Sequence, residues 1–327
     1  MNCPLPCLRE DIENEEAFFT IIIVSYNPGE KLFETIQSVL NQSFDNYRIL
    51  IKDGMSTDNS VERLKKEYDI ALSDAEEEKT ITLLESCDTG IYHGMNIATS
   101  FLEGRIKDAR ADKDDSVADP EEVKLLKAGE SPAYIFFLNC GDVFSDNKVL
   151  ERIHDAIVKR NAKSGTTLPT IFYGDIFDSI TGNRVASNPV IDDYACYRNV
   201  PSHQACFYDE RLIYKNPFDL KYKVRADYEQ FLRCFYRDKA ETCYIPTVIC
   251  NYEGGGFSDQ NKKLSETERR EIIKLYLPEK KIRKYDLLRA LTLTKLRTAI
   301  ATNKVTAGAY NSIKSAIYML KEKKNEG

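Results

Sequence analysis

The feature that most constrains the fold is a run of seven residues, FTIIIVS, at 19–25. Its β-branched residues follow one another without the polar alternation of a strand that faces water on one side. We therefore predict a central strand in a sheet that is covered on both faces.

Helix-like and strand-like segments alternate along the rest of the chain. Helices are predicted around the apolar stripe 32–40 and over 61–68, 91–102 and 226–236. Strands are predicted over 47–52, 80–84, 133–138, 170–173, 205–208 and 242–250. This alternation is typical of an α/β fold with a mostly parallel, twisted sheet and helices on both faces.

Composition divides the chain into three parts. Residues 1–17 form an acidic N-terminal extension, 18–260 a globular domain, and 261–327 a helical C-terminal extension. Within the domain, 103–132 is rich in acidic residues and poor in large apolar ones, which predicts a solvated insertion. Charged residues make up 30% of the whole chain and hydrophobic residues 42%, as in soluble globular proteins.

The net charge of −6 is unevenly distributed. From Glu279 onward there are 12 Lys and Arg against 4 Asp and Glu, a net charge of +8, which leaves −14 for the rest. Leucines interspersed with these cations indicate either contact with an anionic membrane surface or packing on the body or on a second copy. Both interpretations stay open, whereas the acidic body predicts no nucleic-acid partner.

Cysteines and apolar runs indicate the compartment. The nine cysteines are scattered, without a Cys-x-x-Cys pair, which is typical of reduced thiols. Residues 1–16 lack the pattern of a signal peptide, and the run Phe18–Val24 is too short to span a bilayer. We expect a cytoplasmic protein whose tail can hold it on the inner face of the membrane.

Polar side chains follow four predicted strands. They are Ser25, Tyr26 and Asn27, then Asp53, then Asp88, and finally Asn139, Gly141 and Asp142. Each is an ordinary turn residue by itself, but the carboxyl ends of parallel strands share one edge, where α/β proteins bind ligands. No glycine-rich phosphate loop is present, which argues against a dinucleotide-binding dehydrogenase and a P-loop nucleotidase. A diphosphate bound at this edge would need a divalent metal, for which Asp142 is suited.

Four blocks in this order resemble glycosyltransferase family 2, inverting enzymes of the GT-A fold. They lie at 20–27, 53–58, 88–96 and 137–142, and the resemblance covers roughly Phe18 to Ser258. It is greatest to the branch that acts in colanic acid, capsule and O-antigen assembly. It implies transfer of a sugar, with inversion, from a nucleotide-diphosphate sugar to a saccharide or lipid-linked saccharide acceptor in bacterial-type surface polysaccharide synthesis.

The resemblance also implies roles for the strand-end residues. Ser25, Tyr26, Asn27, Asp53, Asp88, Asn96, Asn139 and Gly141 would form the nucleotide-sugar site. Within it, Asp53 would reach the base, and Asn96 would shape its loop. Asp142 would hold Mg²⁺ or Mn²⁺ as the second acid of the family's Asp-x-Asp motif. The first acid is replaced in this chain, which leaves one carboxylate as a direct metal ligand.

The resemblance places the catalytic base at Asp227, within the stretch Arg225–Glu229. Helical periodicity alone does not choose between Asp227 and Glu229, and the helix N-terminus would keep either one ionised. The alternative is an ordinary acid that stabilises the helix dipole.

A His-Gln pair and a glycine-rich segment complete the predicted site. By the resemblance, His203 and Gln204 would lie near the acceptor or the donor phosphate, with a structural histidine as the alternative. His93 and His154 receive no catalytic role. The segment 251–258 contains three glycines, which suits either a loop that closes over substrate or a plain connector.

Two other functions are weighed against the transferase. A sugar nucleotidylyltransferase would have a glycine-rich, arginine-containing loop after the first strand, and Ser25–Gly29 does not resemble one. A catalytically inactive nucleotide-sugar-binding subunit is favoured by the missing first acid.

Overall fold

The structure is a computed structural model that describes residues 18–68, 81–104, 133–164, 168–256 and 260–291, together with Ile313. The N-terminal extension, residues 105–132 of the predicted insertion, and nearly all of the basic tail beyond 291 lie outside the described residues.

The strands of the described residues form one nine-stranded sheet. In chain order they are β1 (Phe19–Ser25), β2 (Tyr47–Asp53), β3 (Ile81–Glu85), β4 (Tyr134–Asn139), β5 (Val143–Phe144), β6 (Thr170–Asp178), β7 (Asn183–Val185), β8 (Cys206–Asp209) and β9 (Glu241–Tyr252). Their order across the sheet is β3-β2-β1-β4-β8-β6-β9-β5, and β7 pairs with β6.

Helices connect and cover these strands. They are α1 (Lys31–Leu40), α2 (Ser60–Glu67), α3 (Ile91–Leu102), α4 (Val149–Ser164), α5 (Asp193–Arg198), α6 (Glu210–Lys215), α7 (Ala226–Tyr236), α8 (Lys262–Tyr276) and α9 (Glu279–Leu291), with a 3₁₀ helix at His203–Ala205. The predicted helices 91–102 and 226–236 have the observed bounds.

The predicted α/β class and the C-terminal helices are confirmed, and the sheet combines two pairing patterns. Strands β3, β2, β1 and β4 pair parallel to one another, as the alternating first half predicts. Strand β8 pairs antiparallel to both β4 and β6, and β6 then pairs parallel to β9. The sheet is therefore mixed, because β8 enters it in the reverse direction.

Both faces of β1 are buried, which explains its unbroken apolar run. Ile21 and Ile23 belong to the core on the side of α1 and α4, whereas Ile22 and Val24 belong to the core on the side of α3 and α7. Successive strand residues point to opposite faces, so each face of the sheet obtains its own layer of helices.

The two C-terminal helices differ in how they contact the body. Ile272 and Ile273 of α8 are fully buried, which makes α8 part of the folded body. On α9, Leu287 and Leu291 are exposed, by 61% and 69%. Within the described ranges, none of the helices has the length and apolar character that crossing a bilayer requires.

Candidate active site

A cavity of about 550 Å³ lies where β4 ends, next to the 3₁₀ helix and the first turn of α7. The predicted site residues on its wall are Asn139, Asp142, His203, Gln204 and Asp227. They come from separate parts of the chain and meet because β8, which follows the 3₁₀ helix, pairs with β4. The other predicted site residues end neighbouring strands, lie in the loops that follow those strands or, for Asn96, lie on α3.

The turn between β4 and β5 positions Asp142. Its backbone N–H donates to the carbonyl of Asn139 at 3.0 Å, and its own carbonyl accepts from Thr35 Oγ1 at 2.9 Å. Gly141 has a φ of 97°, and a Cβ at this position would collide with the carboxylate of Glu253. The Glu253 carboxylate is the end of a flexible side chain that can move aside, so the positive φ is what favours glycine in this turn.

Asp142 is buried, with only 3% of the residue exposed. Its Oδ1 accepts from the backbone N–H of Glu253 at 2.9 Å, and its Oδ2 accepts from Gln204 Nε2 at 3.2 Å. Burial raises the pKa of Asp142, and these hydrogen bonds together with the nearby His203 only partly offset the effect. A cation beside Asp142 would therefore stabilise its ionised form.

Asp227 lies in the first turn of α7, and its carboxylate has more polar contacts than that of Asp142. Its Oδ1 accepts from the backbone N–H of Tyr228 at 2.8 Å and lies 3.1 Å from the hydroxyl of Tyr92. Its Oδ2 lies 3.2 Å from His203 Nδ1. Burial raises the pKa of Asp227, but the hydrogen bond and charge of His203, with the charge of Arg225, outweigh it and hold the pKa below its usual value. Asp227 is thus ionised at neutral pH, as a general base must be.

His203 bridges Asp227 and Asn139. Asn139 Nδ2 lies 3.1 Å from His203 Nε2; in this amide orientation Nε2 accepts, which leaves the proton of a neutral ring on Nδ1, facing Asp227. Asn139 Oδ1 is buried without a hydrogen-bond partner among the described residues. Turned over, the same amide would accept from a protonated Nε2, so Asn139 can match either charge state of His203.

Two adjacent residues of the 3₁₀ helix connect the two acids of the cavity. His203 contacts Asp227, and Gln204 donates to Asp142. One turn of helix therefore contacts both carboxylates.

Asp227 and Glu229, which periodicity leaves unresolved, have different surroundings. Asp227 faces the cavity. Glu229 is buried on another side of α7, where it accepts from Arg233 Nη2 at 2.8 Å and from the hydroxyl of Tyr276 on α8. The geometry favours Asp227 as the reactive acid and gives Glu229 a packing role.

The loops after β1 and β2 are fastened to each other through Asp53. Asp53 is fully buried, and its carboxylate accepts from Ser25 Oγ at 2.9 Å and from the backbone N–H of Ser56 at 2.7 Å. Asn27 Oδ1 accepts from the backbone N–H of Thr57 at 2.7 Å. In this arrangement Ser25, Asn27 and Asp53 shape the edge of the sheet.

Asp88 and Tyr26 flank Gly54 at the end of β2. A Cβ on Gly54 would lie 3.1 Å from Asp88 Oδ2 and 3.2 Å from the Tyr26 ring. Lys52, whose side chain is fully buried, forms an ion pair with Asp88 and donates to the carbonyl of Ser86 at 2.8 Å. Tyr26 is 67% exposed, so its ring is accessible to a ligand at this edge.

Asn96 fastens α3 to the segment before α7. Its Nδ2 donates to the carbonyl of Phe218 at 2.9 Å, and its Oδ1 accepts from the N–H of Phe218 at 2.8 Å. Both ends of the amide are therefore used in holding the protein backbone.

Sequence reasoning missed two buried charged residues that support the site. Lys52 directly follows the apolar run Ile49–Ile51 within β2, and this position was a signal that could have been used. Glu268 on α8 accepts from the backbone N–H groups of residues 223, 224 and 225, at 2.8, 2.9 and 2.9 Å. Nothing local to Glu268 indicates this contact, because its partners lie more than 40 residues away.

The cavity suits a metal ion that is coordinated partly by the protein and partly by a bound substrate. Among the described residues, no group of three His, Cys, Asp or Glu side chains could hold a metal ion. Asp142 lies on the cavity wall, and the nearby Glu253 carboxylate pairs with Lys31 at 2.5 Å. This donor set fits Mg²⁺ or Mn²⁺ held by one carboxylate, with phosphate oxygens and water as the other ligands.

The chain is similar to known glycosyltransferases. A PGL/p-HBAD biosynthesis glycosyltransferase of Mycobacterium bovis is 25% identical over 244 residues, which cover 74% of this chain and 79% of that protein. The structure of S. aureus TarS 1-349 in complex with UDP-GlcNAc has a TM-score of 0.53 and 12% identity, over 82% of this chain and 70% of that one. This chain spans 42% of the longer TarS chain. The likeness to TarS shows the fold.

The family is shown by its own model. Residues 20–195 match the model described as Glycosyl transferase family 2, which amounts to more than half of the chain. The predicted family is confirmed, while the branch that acts in colanic acid, capsule and O-antigen assembly stays a prediction. A chain with these four strand-end blocks, this sheet and this match is a glycosyltransferase that belongs to glycosyl transferase family 2.

Proposed function

We propose that the protein transfers a sugar, with inversion, from a nucleoside-diphosphate sugar to a hydroxyl of a saccharide or lipid-linked saccharide in surface polysaccharide synthesis. The observation that carries the proposal is the pair of carboxylates in one cavity, Asp142 and Asp227, each held by one of two adjacent residues, Gln204 and His203. One acid is suited to the leaving group and the other to the attacking hydroxyl.

The site then has two sides, which we name by the substrate each would receive. The donor side consists of Asp142 on the cavity wall together with the neighbouring edge of the sheet, where Asp53 ends β2 and Asp88 follows β3. The acceptor side consists of Asp227 and His203 with the segments that surround them, 198–203 and 223–227.

Asp227 would act as the general base. Its carboxylate would accept the proton of the acceptor hydroxyl while the hydroxyl oxygen attacks the anomeric carbon. His203 Nδ1 and the backbone N–H of Tyr228 hold the carboxylate in place, and the low pKa of Asp227 keeps it ionised before the proton arrives. One carboxylate aimed at the acceptor suits a single displacement, which inverts the anomeric configuration.

Asp142 would serve the departing nucleoside diphosphate. It would hold Mg²⁺ or Mn²⁺, and that cation would neutralise the charge that develops on the leaving diphosphate. Gln204 and the backbone N–H of Glu253 orient the carboxylate for this task.

A screen of nucleotide sugars tests the proposal. Calorimetry with UDP-GlcNAc, UDP-glucose and GDP-mannose, each with and without Mn²⁺, should detect metal-dependent binding of at least one donor, accompanied by slow donor hydrolysis. Metal-independent binding without turnover would instead support an inactive binding subunit.

Two variants extend the test to the two acids. Asp142→Ala should abolish metal-dependent donor binding, and Asp227→Asn should lower turnover by about 10²- to 10⁴-fold while the donor still binds. Asp155→Asn, an exposed acid on α4, is the matched control and should behave as wild type. Near-wild-type turnover of either site variant, in folded protein, would refute the mechanism.

A further inference from the structure

Three cations gather on the acceptor side of the cavity. Arg198 ends α5, and Lys223 and Arg225 precede Asp227 on the segment that leads into α7; all three line the cavity. Among the described residues, no carboxylate forms an ion pair with any of them. Other lysines and arginines close to the site do have such partners, as Lys31 has Glu253 and Lys52 has Asp88.

The protein contacts of these cations are with neutral groups. Arg225 Nε donates to Ser265 Oγ at 2.8 Å, and its Nη1 donates to Asn199 Oδ1 at 3.1 Å. The Arg198 guanidinium lies 5.9 Å from the centre of the Tyr194 ring. These contacts orient the two arginines, and none of them is an ion pair with a carboxylate.

The backbone that carries the cations is firmly built. The buried carboxylate of Glu268 accepts from three successive N–H groups, those of residues 223 to 225. Asp192 caps the N-terminus of α5 by accepting from the backbone N–H of Ala195 at 2.7 Å. Cationic side chains that extend from a fixed backbone into a cavity are suited to binding an anionic group.

The position of the cations points to the acceptor rather than to the donor diphosphate. Arg225 is two residues from Asp227, and its charge contributes to the low pKa of that acid. On the donor side, Asp142 and Glu253 bring negative charge, with Lys31 as the counterion of Glu253. A group held by the three cations would therefore lie next to the base that receives the proton of the acceptor hydroxyl.

We propose that the acceptor carries an oxyanion, a phosphate or a carboxylate, close to the hydroxyl that is glycosylated, and that Arg198, Lys223 and Arg225 bind it. The inference rests on the proposed function, since it names the class of acceptor for the same site. Arginine forms paired hydrogen bonds with phosphate and carboxylate alike, so both groups match this surface.

Binding of small probes tests the proposal on the full chain. The donor side is first filled with the nucleoside diphosphate that the screen selects, together with Mn²⁺. Glucose 1-phosphate, glucuronate and neutral glucose are then titrated in low salt and again in 0.5 M NaCl. At least one anionic probe should bind about tenfold more tightly than glucose, and the preference should weaken in high salt. The tighter anion identifies the phosphate or the carboxylate as the recognised group.

A pair of double variants distinguishes anion binding at this site from a nonspecific effect of the protein's net charge. Arg198→Gln with Lys223→Gln, both exposed residues, should remove the preference for the anion while the affinity for the nucleoside diphosphate is kept. Lys66→Gln with Lys148→Gln removes the same two charges from exposed positions on α2 and before α4, and should leave the preference intact.

Three results would overturn the proposal. They are equal binding of glucose and both anions by wild type, a preference that survives in the Arg198/Lys223 variant, and a loss of nucleoside diphosphate affinity in that variant, which would assign the cations to the donor. Failure of the proposed function has a different result, namely that wild type binds none of the nucleotide sugars.

Discussion

The donor side and the acceptor side of the site are assembled from different kinds of structure. On the donor side, Ser25 and Asp53 end the parallel strands β1 and β2, Asp88 follows β3, and their partners lie at the end of a neighbouring strand. On the acceptor side, Asp227 is held by His203 from the 3₁₀ helix and Tyr92 from α3, and its segment is held by Glu268 from α8. The donor side thus depends on the sheet, whereas the acceptor side depends on helices that the later chain supplies.

This difference suggests how one scaffold can serve different acceptors. The parallel strands present their carboxyl ends at one edge whatever the loops contain, so a nucleotide site is a consequence of the fold. The sheet does not by itself form the acceptor side, since the residues of that side meet only through contacts between segments that are distant in the chain. Changes in α5, α8 or the 223–227 segment can alter the acceptor site without disturbing the sheet.

The largest expected effect tests the donor side through Lys52. Lys52→Met would leave the carboxylate of Asp88 largely buried without its cation and the carbonyl of Ser86 without its donor. Loss of one partner of a buried ion pair costs about 3–5 kcal/mol, so the free energy of unfolding in urea should fall by that order.

The double variant Lys52→Met with Asp88→Asn provides the control. It removes both charges and keeps an amide oxygen for the N–H of Gly90, which Asp88 Oδ1 now accepts at 3.0 Å. It should be more stable than Lys52→Met alone. Equal stability of the single and double variants would mean that the ion pair does not hold this side together.

The second effect tests the acceptor side through Glu268. Glu268→Gln would replace a carboxylate that accepts three backbone N–H groups by an amide whose NH₂ cannot accept. Hydrogen bonds to charged groups are worth about 1.5–3 kcal/mol. Without them the segment 223–225 would shift the proposed base Asp227, and a misplaced base lowers the rate of transfer. We expect kcat/KM to fall about ten- to a hundredfold, with the donor affinity measured by calorimetry unchanged.

Glu271→Gln on the same helix is the matched control for Glu268. Glu271 is exposed and pairs with Lys221, so its loss should leave both kcat/KM and donor affinity near wild type. A Glu268 variant that loses donor affinity instead of transfer, or that equals the control, would erase the distinction between the two sides.

The same difference explains what could be predicted from the sequence. The strand Phe19–Ser25 and the strand-end acids were predictable because apolar runs and turn residues are local patterns. The contact between His203 and Asp227 was not, because it depends on β8 entering the sheet antiparallel to β4. The role of Glu268 was also not predictable, since an acid in an amphipathic helix is normally exposed. Contacts between distant segments are set by tertiary packing, which periodicity does not encode.

The variant with the smallest expected effect tests whether all charges of α8 contribute to sugar transfer, or only those that contact the acceptor side. Glu266 faces away from the cavity, toward Arg269, Arg270 and Arg289, and these contacts, led by the Arg269 hydrogen bond, lower its pKa to about 2 from an ordinary value of 4.5. Its side chain is 46% exposed, so solvent screening limits the stabilisation to about 0.5–1 kcal/mol. A carboxyl with a depressed pKa stabilises the folded state above its unfolded pKa and loses that effect as pH falls.

Glu266→Gln should therefore be slightly less stable than wild type at pH 7, with a gap that closes as pH falls from about 4.5 toward 2. Thermal unfolding of both proteins at pH 7, 5 and 3.5 measures that gap, and transfer assays at pH 7 should show equal kcat/KM. A gap that widens in acid would contradict the assignment of the charge network. A fall in kcat/KM like that expected for Glu268→Gln would instead mean that the whole charged surface of α8, and not the single carboxylate under residues 223–225, supports the acceptor side.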